Sequence, residues 1–318
     1  MPNDTSGITL EELFIHPPPP VQWMIPRLLP EGALVFAGPP KIGKSFLSLQ
    51  LCTDITTGAI TLGKFTTNQG RIHYFGLEDN LRRFYDRTLK QGLDLSNAHL
   101  LHLHIATMPG QQTVDQCRAI LERYKDTSII VIDTMERVRD NKAGRTQYSE
   151  DYDFVGVYQQ LALEFHVVII LVHHTKKAPG ETQLDAISGT RGIIAAAENL
   201  WILEKSPNPN YYATLHVEGK GVDSFDYSLD FNKDTCTWEI LDELEGPALP
   251  ENRQDILDLL REKGILSTKD ICDMITLNAN GHGGDIKPAT IRKNLSRMKE
   301  AGQIFQPKTG YYGPPEGV

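Results

Sequence analysis

Residues Gly38-Pro39-Pro40-Lys41-Ile42-Gly43-Lys44-Ser45 fit the pattern GxxxxGK[ST], between an apolar run, ALVFAG at 33 to 38, and a helical candidate at 44 to 57. A glycine-rich loop in that setting commits the chain to a strand, a tight turn and a helix whose N-terminus faces an anion. Its chemistry is phosphate binding: glycines let backbone N–H groups curl around a β-phosphate, Lys44 reaches the β and γ oxygens, and Ser45 holds Mg2+. The nucleotide-binding candidates run from Gly38 through Pro39, Pro40, Lys41, Ile42, Gly43, Lys44 and Ser45 to Phe46. For Lys41 a phosphate contact and a solvent-facing position stay equally open.

The surrounding pattern fits that commitment. Further β-rich runs stand at 72 to 77, 100 to 106, 128 to 134, 167 to 174, 200 to 205 and 213 to 219, with helical candidates at 79 to 92, 112 to 125 and 150 to 165. Several of the strands are apolar at consecutive positions, as expected where helices cover both faces of a parallel sheet. The fold class is therefore α/β with βαβ units. A length of 318 residues suits about two domains. The longest apolar run, at 167 to 172, is far short of the ~20 residues that span a bilayer. No membrane segment or secretory signal is expected, and the cytoplasm is the expected address. Cys52, Cys117, Cys236 and Cys272 form no CxxC pair, which fits buried reduced thiols better than a metal or disulfide framework.

The first twenty residues are polar and end in four prolines, which predicts an extended arm, with the α/β core at 21 to 245. GPALPEN at 246 to 252 marks a linker. Over 253 to 318 the order helix, helix, glycine-rich loop, helix and two short strands predicts a small C-terminal winged helix-turn-helix. The net charge of -9 is uneven: residues 251 to 318 carry +1, and the segment 287 to 308 about +5. Lys287, Thr290, Arg292, Lys293, Arg297 and Lys308 are the duplex-contact candidates there. A solvated face of a partner-binding or oligomerisation module is the alternative for that surface.

The remaining chemistry lies at predicted strand ends. SIIVID ends in Asp133, an apolar strand closed by a carboxylate that would order Mg2+ opposite Ser45. Glu78 and Asp79 follow IHYFGL, at the sheet edge where ligands bind in open α/β folds. Glu78 suits the polarisation of an attacking water, and Asp79 suits the opening of the next helix. His173 and His174 end another strand on the same edge, and one imidazole should face the γ-phosphate. His99, His102 and His104 read as strand-face histidines rather than metal ligands. Arg87 and Arg191 lack obvious local partners; each is either a trans-acting arginine or half of a surface ion pair.

Taken together, GPPKIGKS, the Glu-Asp pair of YFGLEDN, VIDT, LVHH followed by Lys176, and the arginine of TRG resemble the RecA-fold ATPases of the hexameric replicative helicase group, most closely the RepA-type plasmid helicases. The matching stretch covers about 26 to 221. The resemblance implies a RecA-like core with ATP and Mg2+ at the interfaces of a homo-oligomeric ring, a hexamer. It also implies Lys44 and Glu78 as catalytic groups, Asp133 at Mg2+, His174 as γ-phosphate sensor, and Arg87 and Arg191 as trans-acting arginines. Single-stranded DNA would be held by two channel loops, one with Arg139, Lys142 and Arg145, the other with Lys176 and Lys177. The chain departs from RepA-type helicases in its added winged-helix-like module and in the acidic neighbours of Arg139, namely Glu136, Asp140, Glu150 and Asp151. Two further readings stand beside the helicase: a DNA-bound regulatory or loader ATPase without unwinding, and a signalling ATPase of the KaiC kind.

Overall fold

The structure, a computed structural model, describes residues 7–93, 96–139, 147–175, 191–206, 208–220, 222–244, 251–278, 291, 292, 294, 295, 298, 299, 304–308 and 310–314, with the backbone alone at Arg191 and some other segment ends. The chain divides into two compact units, Met1–Leu244 and Glu245–Val318.

The first unit opens on helix α1 (Leu10–Ile15), closed by a reciprocal capping box between Thr9 and Glu12. This corrects the expectation of an arm extended throughout: two orphan N–H groups are satisfied locally, which stabilises a short turn of helix although its residues are exposed. A small ribbon follows, β1 (Trp23–Ile25) and β2 (Leu29–Pro30). Then come β3 (Gly32–Gly38), α2 (Lys44–Thr57), a minor hairpin β4 (Ile60–Thr61) and β5 (Phe65–Thr66), β6 (Arg71–Gly76), α3 (Leu81–Lys90), β7 (Leu101–His104) and α4 (Gln111–Arg123). After β8 (Thr127–Asp133) lie α5 (Gln147–Phe165), β9 (Val168–His174), α6 (Arg191–Ala196), β10 (Asn199–Lys205), β11 (Ala213–Gly219), β12 (Val222–Asn232) and β13 (Thr237–Leu244).

One nine-stranded sheet, in the order β13-β12-β11-β10-β3-β9-β8-β6-β7, organises the unit. From β10 to β7 neighbouring strands are parallel, and from β10 to β13 they are antiparallel. Strand β3 shows why the sequence lacks alternation. Leu34 and Phe36 enter one core with α2, while Val35 and Ala37 enter the other with α5. Because both faces are dry, every position must be apolar. The extension β12–β13 goes beyond the strands expected from sequence. Phe225, Tyr227, Leu229 and Phe231 do alternate along β12 and pack on the α2-side core, which is the period of a strand with one apolar face.

His73, on β6, joins the expected histidines of β7. Its ring stacks on His102 at 4.6 Å, and its Nδ1 lies 3.1 Å from His104 Nε2. Among the described residues no group of three or more His, Cys, Asp or Glu side chains is arranged to hold a metal ion. Burial first, then the neighbouring His102, His104 and Arg71, pull His73 down to about 3. A neutral histidine in the folded state gives stability that is present above the unfolded value near 6.5 and lost as pH falls toward 3. Thermal unfolding from pH 6 to pH 4 should show this, with a slope approaching roughly 1.4 kcal/mol per pH unit that His73→Phe removes.

The second unit contains α7 (Glu251–Lys263), β14 (Leu266–Ser267), α8 (Thr268–Asn278), β15 (Phe305–Lys308) and β16 (Tyr311–Gly313), with the strands ordered β14-β16-β15. Ile291, Leu295 and Met298 are helical, spaced on one face, and buried with Ile256, Leu260, Ile271 and Ile275. Among the described residues no helix is long and apolar enough to cross a membrane, and all four cysteines are buried and free.

Candidate active site

The loop between β3 and α2 is shaped by two glycines. At Gly38 a Cβ would lie 2.4 Å from the Leu203 carbonyl oxygen on β10, so no side chain fits there. Gly43 has φ +110° and caps α2 with its carbonyl, which accepts from Phe46 N and Leu47 N at 3.1 Å each. Lys41 also adopts a left-handed backbone and is exposed. The first turn of α2 carries no acidic residue, and the N–H groups of Lys44 and Ser45, which precede the first bonds to the Gly43 carbonyl, lie where a helix N-terminus receives an anion.

Lys44 is buried, and its three donors are all engaged: Nζ lies 2.7 Å from Gly38 O, 3.0 Å from Pro39 O and 3.0 Å from His174 Nδ1. Burial pulls the ammonium down to about 8, against the pull of Asp133, Glu136 and Glu78. An ammonium only donates, so His174 Nδ1 accepts and the ring proton sits on Nε2. That Nε2 faces Glu78 Oε2 at 3.5 Å. The structure thus joins three of the residues picked from sequence, Lys44, His174 and Glu78, in one chain of polar contacts.

Asp133, at the end of β8, is buried and accepts a 2.6 Å hydrogen bond from the Tyr74 hydroxyl on the neighbouring β6. Burial pushes its carboxyl up, while hydrogen bonds from Tyr74 and Ser45 hold it down. A serine hydroxyl bonded to a buried carboxylate at a phosphate loop is an oxygen donor set that suits a hard divalent cation.

Glu78 precedes α3, whose N-cap is Asn80, so the Glu-Asp pair lies just outside the helix rather than in its first turn. Thr134 Oγ1 donates to Glu78 Oε1 at 3.2 Å, and Arg137 Nε lies 3.6 Å from the same oxygen. Asp79 binds Arg83 and Arg87. Arg87 also lies over the Phe46 ring, 4.7 Å from its centroid. This is the local ion pair weighed from sequence, and a role in trans would have to compete with it. The Arg191 backbone opens α6, and its side chain lies outside the described residues.

His173 points away from His174, as strand alternation requires, and its Nδ1 lies 2.5 Å from Glu136 Oε1. Glu136 Oε1 also accepts from His174 N at 3.1 Å. Burial works against the charge of Glu136, but His173 and the His174 N–H hold its carboxyl at about 2. Sequence reasoning noted Glu136 only as an acidic neighbour of Arg139, and it missed Tyr74 and Thr134. Nothing in a one-dimensional pattern distinguishes them, because each is aimed by a partner strand.

Among the DNA-contact candidates, Arg139 is ion-paired with the buried Asp151 and lies 5.3 Å from the Phe154 ring centroid. A phosphate would have to displace that pair. Arg292 is exposed, and Lys308 Nζ lies 3.9 Å from the Tyr311 ring centroid. Lys142, Arg145, Lys176, Lys177, Lys287, Thr290, Lys293 and Arg297 lie outside the described residues.

A strand, phosphate loop and helix with a carboxylate at the end of a nearby parallel strand define a P-loop ATPase. The chain belongs to the AAA_25 family, whose model, described as an AAA domain, matches residues 3–180. Two solved structures share the fold. The ATPase domain of G40P gives a TM-score of 0.53 at 12% identity, over 66% of this chain and 85% of that one. A DnaB-like replicative helicase, described with its interactions with primase, gives 0.53 at 12% identity, over 69% of this chain and 58% of that one. The chain thus spans little more than half the length of the second relative. The likeness is one of fold, and it establishes the RecA-like core expected from the sequence.

Proposed function

We propose that this ATPase is a motor on single-stranded DNA, of the RepA or DnaB replicative helicase type, from a plasmid, phage or other mobile element. It works in the cytoplasm as a ring of identical copies, six being favoured. The observation that carries this reading is the bridge made by His174 between Lys44 and Glu78. A γ-phosphate drawing on Lys44 would release His174 Nδ1, and the same ring borders the carboxylate that orients the attacking water. Nucleotide state is thereby sensed at the end of β9, next to the segment carrying Lys176 and Lys177, where single strands would bind. Ser45 and Asp133 would hold Mg2+, which offsets charge on the phosphates. Arg191 from a neighbouring copy completes the site, and Arg87 does so once freed from Asp79.

The second unit is proposed as a winged helix-turn-helix that engages duplex DNA or a replication partner. Its element order and the basic run from 287 to 308 support that assignment. They equally fit a loader or regulatory ATPase whose nucleotide state controls assembly without unwinding. ATP hydrolysis measured with single strands and with duplexes, alongside strand displacement, separates the two. The motor is expected to show stimulation of several-fold by single strands, together with displacement. Stimulation by one duplex sequence alone, without displacement, would select the loader reading, and indifference to all DNA would reject both.

A further inference from the structure

Trp238 lies on β13, beyond the residues that the family model matches and 195 positions from the phosphate loop, yet it touches that loop directly. Its Nε1 donates to the Gly43 carbonyl at 3.3 Å, the same oxygen that starts the hydrogen bonding of α2. The indole is packed so closely that a Cβ on Gly43 would lie 2.7 Å from Trp238 Cζ2. About two turns into α2, the buried Gln50 grips the tryptophan backbone from both sides: Trp238 N donates to Oε1 at 2.7 Å, and Nε2 donates to Trp238 O at 2.9 Å. Phe231 and Tyr212 hold the ring from the sides, with centroids at 4.8 and 5.6 Å. A second tie runs parallel to the first, since Gln91 Nε2 donates to Phe46 O at 3.0 Å and to Cys236 O at 2.9 Å.

From this geometry we infer that Trp238, fixed by Gln50, is a positioning residue of the nucleotide site. The reasoning rests on the ATPase reading of that site. Phosphate oxygens are received by backbone N–H groups around Gly43 and the first turn of α2, and the orientation of those groups follows the Gly43 peptide. Gly43 occupies φ +110° and has no side chain to hold it there. The indole N–H and ring face fix it from outside, so the loop meets a nucleotide already in its binding shape, and less ordering is needed on binding. Trp238 reaches no phosphate itself.

Trp238→Phe keeps an aromatic ring and removes the N–H donor. We expect KM for ATP and the dissociation constant for ADP to rise about fivefold, the worth of one hydrogen bond, with kcat within roughly twofold of wild type. Addition of ADP or a non-hydrolysable ATP analogue should change tryptophan emission in the wild type and in Trp23→Phe, and leave Trp238→Phe unchanged. A merely structural tryptophan would lower the melting temperature while KM stayed put. Unaltered KM and an undiminished emission response in Trp238→Phe would overturn the inference. Should that variant fail to fold, Gln50→Leu leaves the indole present but untied from α2, and it is expected to raise KM by a similar factor; unchanged KM there would overturn the inference as well. Failure of the ATPase reading looks different, since wild type itself would then bind neither nucleotide.

Discussion

Lys44→Ala is expected to abolish ATP hydrolysis, with a loss of at least about a thousandfold, the scale of removing a preorganised charge from a reacting centre. The side chain is almost wholly buried and gives each of its three protons to a fixed acceptor, two loop carbonyls and His174. On the proposed reading an incoming γ-phosphate would exchange with those acceptors, so the lysine would both bind the nucleotide and release the histidine. Alanine removes the positive charge among Asp133, Glu136 and Glu78, leaving three carboxylates to repel the phosphates. Phosphate release, checked beside a far-ultraviolet melting curve, tests this. Residual turnover within tenfold of wild type in a folded variant would contradict it.

Glu78→Gln is expected to leave nucleotide affinity within about twofold and to lower turnover by roughly a hundred- to ten-thousandfold, the range for loss of a general base. The amide has the shape of the carboxylate, and Thr134 Oγ1 can still donate to its oxygen. What it loses is the capacity to take a proton from water. Besides Asp133, which accepts from the Tyr74 hydroxyl, Glu136 is the remaining carboxylate in the electric field of Lys44, but its Oε1 is occupied by His173 and the His174 N–H. It is therefore poorly placed to substitute. Single-turnover hydrolysis with bound nucleotide quantified separately distinguishes binding from chemistry. Normal turnover in Glu78→Gln would remove that residue from the catalytic role.

The parts of this molecule that are legible in its sequence are those written in consecutive residues. The phosphate loop, the central strands and α2 follow from a local pattern, and α2 spans the expected 44 to 57. Asp133 and His174 end apolar strands and Glu78 follows one by two residues, and parallel strands bring those C-terminal ends to one edge. Groups that depend on register stayed hidden. Tyr74 reaches Asp133 only because β6 lies beside β8, and Trp238 reaches Gly43 only because the antiparallel extension brings its edge strand β13 against α2. The helix at Leu10–Ile15 was concealed by its brevity and the prolines after it, although Thr9 and Glu12 have the spacing of a capping box. For Arg87 the sequence left two roles open, because its partner Asp79 is eight residues away and reaches it only around the turn into α3.

The Lys44, His174 and Glu78 site is proposed to hydrolyse ATP in response to single-stranded DNA. Steady-state hydrolysis by the full chain, with and without a single-stranded oligonucleotide, across protein concentrations that span assembly, tests it most directly. We expect Mg2+-dependent hydrolysis that rises several-fold with the oligonucleotide and vanishes in Lys44→Ala. Hydrolysis unaffected by single strands at every concentration, or retained in Lys44→Ala, would contradict it.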